Sequence, residues 1–480
     1  MKSLAVLAVL VPVLAFSAGC TSSAPPVAPT PTTPQQVRTL WTLPTNLVGT
    51  PEVVGDTIVS YLREKNQLRV AAWNLTDGRV LWSADAETSG QTPGMQLNVD
   101  TVTVDEKSYV AYLTKQSAGT WRELVIADVR TGQQKAPTPL TVWPSSSPYS
   151  CSDDNAFCMQ GYRESAPNKE MNLRIDPLAP SLATDHSDGV PAGSRGLGQD
   201  IFSTSHRSPK GVEKLGRMAN DQVVWQRPYT DVFGKGASSD YGWEWVEAHD
   251  GIIVGLGAPQ QCHATHKSGK WAMTCDFALG RVVGLNHDTG ATVWSMNGGS
   301  SCPTASLEEI STADRIIACH STTAKATYTE KRGRWALKSR MDRTELIALS
   351  QQTGEVLWRT DLGTETGEGS DNNFVTSRDR MVLTTNKKTM VYDLATGTAT
   401  SADAASRFMC FRDRPTLKLH WLGSKGRTEY TIGEDVEPCD RNGKAVKEIP
   451  IDWVPAAGVD AGDGRWLLPT RGSMTLVKLV

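Results

Sequence analysis

Cysteine is the residue type with the most chemistry to offer in this 480-residue chain, which holds nine. Eight of them form four close pairs separated by wide gaps: Cys151 and Cys158, Cys262 and Cys275, Cys302 and Cys319, Cys410 and Cys439. None of the pairs has thioredoxin or zinc-finger spacing. Eight cysteines allow about 105 pairings, so sequence alone leaves the connectivity open. Sequential disulfides are the simplest reading of close pairs. A zinc site from Cys262, His263, His266 and Cys275 is the metal alternative, and an oxidising compartment favours the bridge over it. His249, His263, His266, His287, His320 and His420 are scattered and lack a partner motif such as G-x-S-x-G. The stretch 363–373, GTETGEGSDNN, is acidic enough for calcium but reads first as a solvated loop, and Asp460–Asp463 reads as a turn. The expectation is no catalytic residue, no metal and no cofactor.

The ninth cysteine, Cys20, has a different setting. Lys2 precedes an apolar run from Leu4 to Phe16. Such a run is shorter than the roughly 20 residues that span a bilayer, and it fits the apolar core of an export signal. Ser17-Ala18-Gly19-Cys20 resembles the lipobox of bacterial lipoproteins, although Ser17 stands where Leu is usual. That resemblance implies acylation of Cys20, palmitate included, and two acyl chains anchor stably where one does not. The following TSSAPPVAPTPTTPQQ is proline-rich and cannot bury a core, so it reads as a tether. The boundaries expected are a signal peptide over 1–19, a lipidated cysteine and tether over 20–37, and a folded domain over 38–480. The location expected is extracytoplasmic, lipid-anchored to the cell membrane.

The elements that must position these residues come from a repeat. Five segments align: Val70–Trp82, Val125–Ala136, Val282–Trp294, Leu346–Trp358 and Met390–Ser401. Each reads as an apolar strand, a polar stretch, a Gly and a second strand. The glycines are Gly78, Gly132, Gly290, Gly354 and Gly397, and three segments carry a Trp four residues later: Trp82, Trp294 and Trp358. Gly supplies the positive φ of a tight turn, and the Trp fills space against the next sheet. A hairpin alone is marginal in water, so the units must stack. Successive glycines lie 54, 158, 64 and 43 residues apart. The long gap therefore hides two degenerate units, with candidates at Ala156–Pro177 and Asp200–Pro228. Asp440-Arg441-Asn442-Gly443 offers a further turn. The last strands lack a closing partner, which Thr39-Leu40-Trp41-Thr42 can supply, hiding a sheet edge.

The pattern A-x-D-x-x-T-G-x-x-x-W resembles the pyrroloquinoline-quinone repeat of quinoprotein-dehydrogenase-like propellers. That group includes the lipoprotein subunit of the outer-membrane β-barrel assembly machine and actinobacterial envelope lipoproteins. The resemblance implies an all-β propeller of eight blades, each of four antiparallel strands, closed by the N-terminal strand.

Balanced charge, 49 Lys and Arg against 52 Asp and Glu, argues against nucleic acid as a partner. Quinone-dependent dehydrogenases on this fold add a vicinal Cys-Cys disulfide, a calcium and a catalytic Asp; this chain has no adjacent cysteines and no C-x-x-C-H for haem. The reading is therefore a monomeric, non-catalytic binding or scaffold lipoprotein of the cell envelope, with an envelope protein or cell-wall polymer as partner. A quinoprotein oxidoreductase is one alternative. A glycan-binding module that stacks sugars on Trp243, Trp245, Trp271 and Trp335 is another. Insertions over Tyr229–Tyr241, Pro259–Phe277 and Thr322–Arg343 mark the functional face.

Overall fold

The computed structural model describes residues 36–480 except 66, 89–96, 116–120, 136–139, 152–154, 185–193, 199, 205–211, 220–221, 268–269, 303–305, 332–333, 364–373, 386–387, 414–416, 421–426 and 431–433. Cys20, the signal region and all but the last two residues of the tether lie outside the described residues, as does nearly all of the acidic loop; Val37, assigned to the tether, is instead the first residue of a strand.

Within them the chain is almost entirely antiparallel sheet. Three four-stranded sheets have simple or nearly simple strand orders, the first and second separated by a larger sheet over 101–184. The first holds Leu47–Val54, Thr57–Glu64, Gln67–Asn74 and Val80–Ala86. The second holds Ser194–Gly198, Ile201–Thr204, Lys214–Ala219 and Gln222–Pro228. The third holds Trp243–His249, Ile252–Gly257, Arg281–Asn286 and Thr292–Asn297, with an inserted hairpin between its second and third strands. Both degenerate units expected in the long gap are sheets. That at Phe157–Arg163 and Ala166–Ile175 merges with the preceding one through Leu140–Pro144, which pairs on both sides. Because of that merger the count of eight blades stays an expectation.

The ring closes where the sequence suggested. Val37–Pro44 pairs with Ser473–Leu479, and completes a sheet with Arg465–Thr470 and Val459–Asp460. Without it the Ser473–Leu479 edge would be open.

Middle strands are buried on both faces, because each sheet is sandwiched between two others. In the first sheet Val59, Tyr61 and Val70 pack on Val110, Tyr112 and Val125 of the next sheet. Ile58, Ala71 and Trp73 face the other way, onto Leu467, Met474 and Leu476 of the closing sheet. Continuous apolar runs such as VVGL and LIAL follow from this two-sided burial.

The repeat turn has a local cause. Asp128 Oδ1 accepts from the Thr131 N–H at 2.8 Å, and the Gly132 N–H donates to the Asp128 carbonyl at 2.8 Å. Gly132 then takes φ +69°. Asn286 with Thr289 and Asp393 with Thr396 repeat the arrangement. An Asx or Ser side chain capping its own turn is what the polar stretch of the motif encodes.

The turn glycine and the tryptophan meet across sheets. A Cβ on Gly132 would lie 2.6 Å from Trp82 of the preceding sheet; on Gly354, 2.6 Å from Trp294; on Gly397, 2.5 Å from Trp358. Trp225 meets Gly290 in the same way, at 2.5 Å, and Trp41 lies over Gly78 more loosely, at 3.3 Å. Four of these indoles also donate to a backbone carbonyl of the next sheet: Trp41 to Leu75, Trp82 to Val129, Trp225 to His287 and Trp294 to Gln351, at 2.7–3.0 Å.

Candidate functional site

The four cysteine pairs are joined sequentially: Cys151 to Cys158, Cys262 to Cys275, Cys302 to Cys319 and Cys410 to Cys439. The zinc alternative at Cys262 thus has no thiolate to offer. Among the described residues no group of three or more His, Cys, Asp or Glu is placed to hold a metal ion. The histidines do not converge either. His287 meets Asp200 at 3.1 Å and His320 meets Glu345 at 3.4 Å, in different sheets.

Of the three insertions, Tyr229–Tyr241 turns its apolar residues into the core and keeps most of its polar ones, with Tyr241, at the surface. Its short helix Tyr229–Phe233 places Tyr229, Val232 and Phe233 at helical spacing on one side, and all three are buried. Gly257 lies against the Phe233 ring, where a Cβ would approach to 2.6 Å. Glu213 stitches this insertion to its sheet, accepting from the Ser203 hydroxyl at 2.6 Å and the Ser239 N–H at 3.0 Å. Burial raises its pKa, but these hydroxyl bonds outweigh burial and hold it below the ordinary value.

The other two insertions combine into one added sheet. Arg315–Lys331 and Arg334–Ser350 are 17-residue strands, each far longer than the usual five or six. Their inner halves belong to a blade, pairing onward to Val356–Gly363. Their outer halves leave it. Lys270–Asp276 joins there, with Ala272 opposite Thr329 and Asp276 opposite Lys325. Cys262–Lys267 pairs in turn with Lys270–Asp276 and with no other described strand, so it is the edge. Cys262 and Cys275 stand opposite in register, and their bridge clamps the hairpin near its base.

The register sets the faces of this sheet. Directly paired residues share a side, so Ala264, His266, Trp271, Met273, Ala326 and Tyr328 lie on one face. Thr265, Lys267, Lys270, Thr274, Lys325 and Thr327 lie on the other. Trp271 stacks on His266 with ring centroids 4.7 Å apart and remains 45% exposed. Of the proposed sugar platform, Trp245 is instead core, 3% exposed beneath Gly255, and Trp243 lies under Arg195 at 5.7 Å. The Trp335 side chain falls outside the described residues.

A second set of polar groups went unnoticed in the sequence. Glu52, in the first sheet, and Asp100, just before the first strand of the next, are half-buried beside Tyr61 and Tyr112. Burial pushes Glu52 up to about 7, helped by the Asp100 charge and opposed by hydrogen bonds from Thr101. Burial also raises Asp100, and pushes Tyr112 up to about 12. Glu244 is raised by burial, although it accepts from the Ser301 hydroxyl and from the Leu307 N–H at 2.6 Å. Single carboxylates in apolar strands carry no spacing signal that would have found them.

A family model described as outer membrane protein assembly factor BamB matches residues 36–155 and 278–405, just over half of the chain. The chain belongs to the BamB family. Its ring of antiparallel sheets is the pyrroloquinoline-quinone-repeat β-propeller of that family, and the unmatched stretch between the two regions contains the edge hairpin of the added sheet. No curated protein matches the chain. Among solved structures it is similar to BamB from Moraxella catarrhalis, at 12% identity and TM-score 0.28, over 92% of this chain and 99% of that one. It is also similar to quinohemoprotein alcohol dehydrogenase from Comamonas testosteroni, at 11% identity and TM-score 0.39, over 87% and 78%. A europium-containing methanol dehydrogenase gives 10% identity and TM-score 0.37, over 78% and 85%.

Proposed function

We propose that this BamB-family chain is a non-catalytic scaffold lipoprotein of the bacterial cell envelope, held by acylated Cys20 and presenting its added sheet to a partner. One observation carries the reading: two insertions from neighbouring blades converge on a single sheet whose edge strand, Cys262–Lys267, is exposed and unpaired within the described residues. Exposed edges are ordinarily blunted or covered, and this one is clamped by a disulfide. Four bridges agree with an oxidising compartment outside the cytoplasm. Membership of a family described as an assembly factor agrees with a partner that is a protein or a cell-wall polymer.

The residues that first drew attention as chemically active have structural work instead. Eight of the nine cysteines are bridged, and the repeat tryptophans fill the space over the turn glycines of the next sheet. The test of the oxidoreductase alternative is direct. The purified chain is incubated with the quinone and calcium, and dye reduction is followed with alcohols and aldose sugars. The expected result is no turnover above background. Turnover that a chelator abolishes would make the enzyme reading the better one.

A further inference from the structure

We infer that the edge strand Cys262–Lys267 takes up an extended segment of a protein partner as an added antiparallel strand, and that acidic and apolar residues alternate along that segment. The inference rests on the reading of this sheet as a contact surface; it names the mode of contact and the chemistry of what is bound.

The hydrogen-bond phase of the hairpin is the first observation. In an antiparallel pair, opposed residues that exchange two bonds alternate with opposed residues that exchange none. The Asp276 N–H donates to the Gln261 carbonyl at 2.9 Å, so Gln261 and Asp276 are a bonded pair. The unbroken register then makes His263 with Thr274, and Thr265 with Ala272, bonded pairs as well. Cys262, Ala264 and His266 fall in the other phase. Their N–H and C=O groups point away from Lys270–Asp276, out of the sheet edge. The Gln260 side chain already donates to the Cys262 carbonyl at 3.1 Å. Ala264 and His266 have no backbone partner among the described residues, and both are exposed. Their N–H and C=O groups are therefore offered at the spacing that an incoming strand matches.

The state of the edge is the second observation. Edges that must stay free are broken by a bulge, a Pro or an inward charge. This one has no register shift and no Pro. The Cys262–Cys275 bridge fixes its base to the next strand, which lowers the ordering cost of binding. The strand also lies between the two regions that the family model matches, so it is no part of the matched repeats.

Side chains select the occupant. On one face stand His263, Thr265, Lys267, Lys270 and Thr274, all exposed. The hairpin over 262–275 has no Asp or Glu. On the other face Ala264 lies beside the His266–Trp271 stack, with Met273 half-buried. An added strand alternates in the same way. Its residues beside the lysine face are acidic in this reading, and those beside Ala264 and the stack are apolar. A second copy would set the basic face against its own like, which cross-strand pairing disfavours. A polyanion without amide donors gives nothing to the Ala264 and His266 carbonyls.

The probe is a short acetylated peptide in which Glu alternates with Val, added to the full chain. At saturation it is expected to slow amide hydrogen exchange at Ala264 and His266 by about tenfold or more, with Arg281–Asn286 unchanged. Opposed residues share a face, so the Val amides are those that meet Ala264 and His266. N-methylation of the Val amides is expected to abolish binding, and N-methylation of the Glu amides to leave it. Ala264→Pro removes an outward N–H without touching the hairpin ladder, a place where an edge strand tolerates Pro. It is expected to weaken probe binding about tenfold while peptide mapping still finds the Cys262–Cys275 bridge. Lys267→Glu with Lys270→Glu is expected to shift preference to a peptide with Lys in place of Glu. Unchanged exchange at Ala264 and His266 overturns the inference, as does equal slowing by soluble polyphosphate. So does protection of those amides in the probe-free chain that rises with protein concentration, which marks a second copy on the edge. A cellular adduct from position 265 that survives Ala264→Pro overturns strand addition and leaves the scaffold reading standing.

Discussion

The indole of Trp82 occupies the space that a side chain at position 132 would need: a Cβ built on Gly132 would lie 2.6 Å from the ring, and the ring nitrogen donates to the Val129 carbonyl at 2.7 Å. A glycine in one repeat and a tryptophan in the previous one are a single contact. Trp294 with Gly354 and Trp225 with Gly290 repeat it. The motif is therefore a device for joining neighbouring sheets, and it needs no cofactor to explain it.

The glycine prediction separates the two parts of that contact. Gly132→Ala faces both a positive φ of +69° and the Trp82 ring. Gly443→Ala faces φ +73° with nothing within 4 Å. The second should cost about 1 kcal/mol from the left-handed backbone alone. The first should cost about 2–4 kcal/mol, adding overpacking. Urea midpoints of the two variants measure the difference, and equal losses would mean the indole yields freely.

Ring closure gives the second prediction. Removing residues 1–36 should leave a soluble, folded chain, whereas removing 1–44 takes away Val37–Pro44 and opens the Ser473–Leu479 edge. Open edges aggregate, so light scattering should rise only for the longer truncation. It also removes Trp41 from Gly78.

Acidity gives the third. Glu52 has a folded pKa of about 7, above the ordinary 4.5. A carboxyl raised in the folded state binds its proton more tightly there, so stability falls as pH rises between those two values and stays reduced above them. Glu52→Gln should therefore leave stability at pH 4 nearly unchanged and raise it at pH 8 by roughly 2 kcal/mol. Urea titrations at the two pH values measure this; a variant no more stable than the parent at pH 8 would contradict the burial argument.

The clamp on the added sheet gives the fourth. Replacing Cys262 and Cys275 by Ala opens a bridge of sequence separation 13, a restriction typically worth about 2–4 kcal/mol. Its effect should stay local. Hydrogen exchange should quicken over 262–276 and remain unchanged in Arg281–Asn286, which belongs to the blade. Quickening in both would mean the sheet and the blade open as one unit.

Much of this architecture was legible in the sequence because one physical unit recurs. A capped turn needs Asx or Ser and then Gly, and a closing ring needs a strand like Thr39–Thr42, so both left residues at readable places. Trp41 and Trp225 were harder to place in the series, because their own turns lack the Gly four residues before. The buried side of the Tyr229–Tyr241 insertion was hidden in the sequence, since its Gly, Lys and Ser surround three apolar residues that only a helix brings to one side. The added sheet was invisible as a unit: its register joins Asp276 to Lys325, 49 residues apart, and no local pattern records such a pairing. Glu52, Asp100 and Glu244 take their environment from neighbouring sheets, which sequence spacing does not encode.

The most direct measurement of the scaffold claim is photo-cross-linking in intact cells from position 265, exposed on the unpaired edge Cys262–Lys267. A photoreactive residue replaces Thr265 in the full chain, and irradiated envelopes are resolved for adducts. The account predicts a discrete adduct of reproducible mass, weakened when Cys262 and Cys275 are also replaced. Irradiated cells with no adduct above the dark control would contradict it.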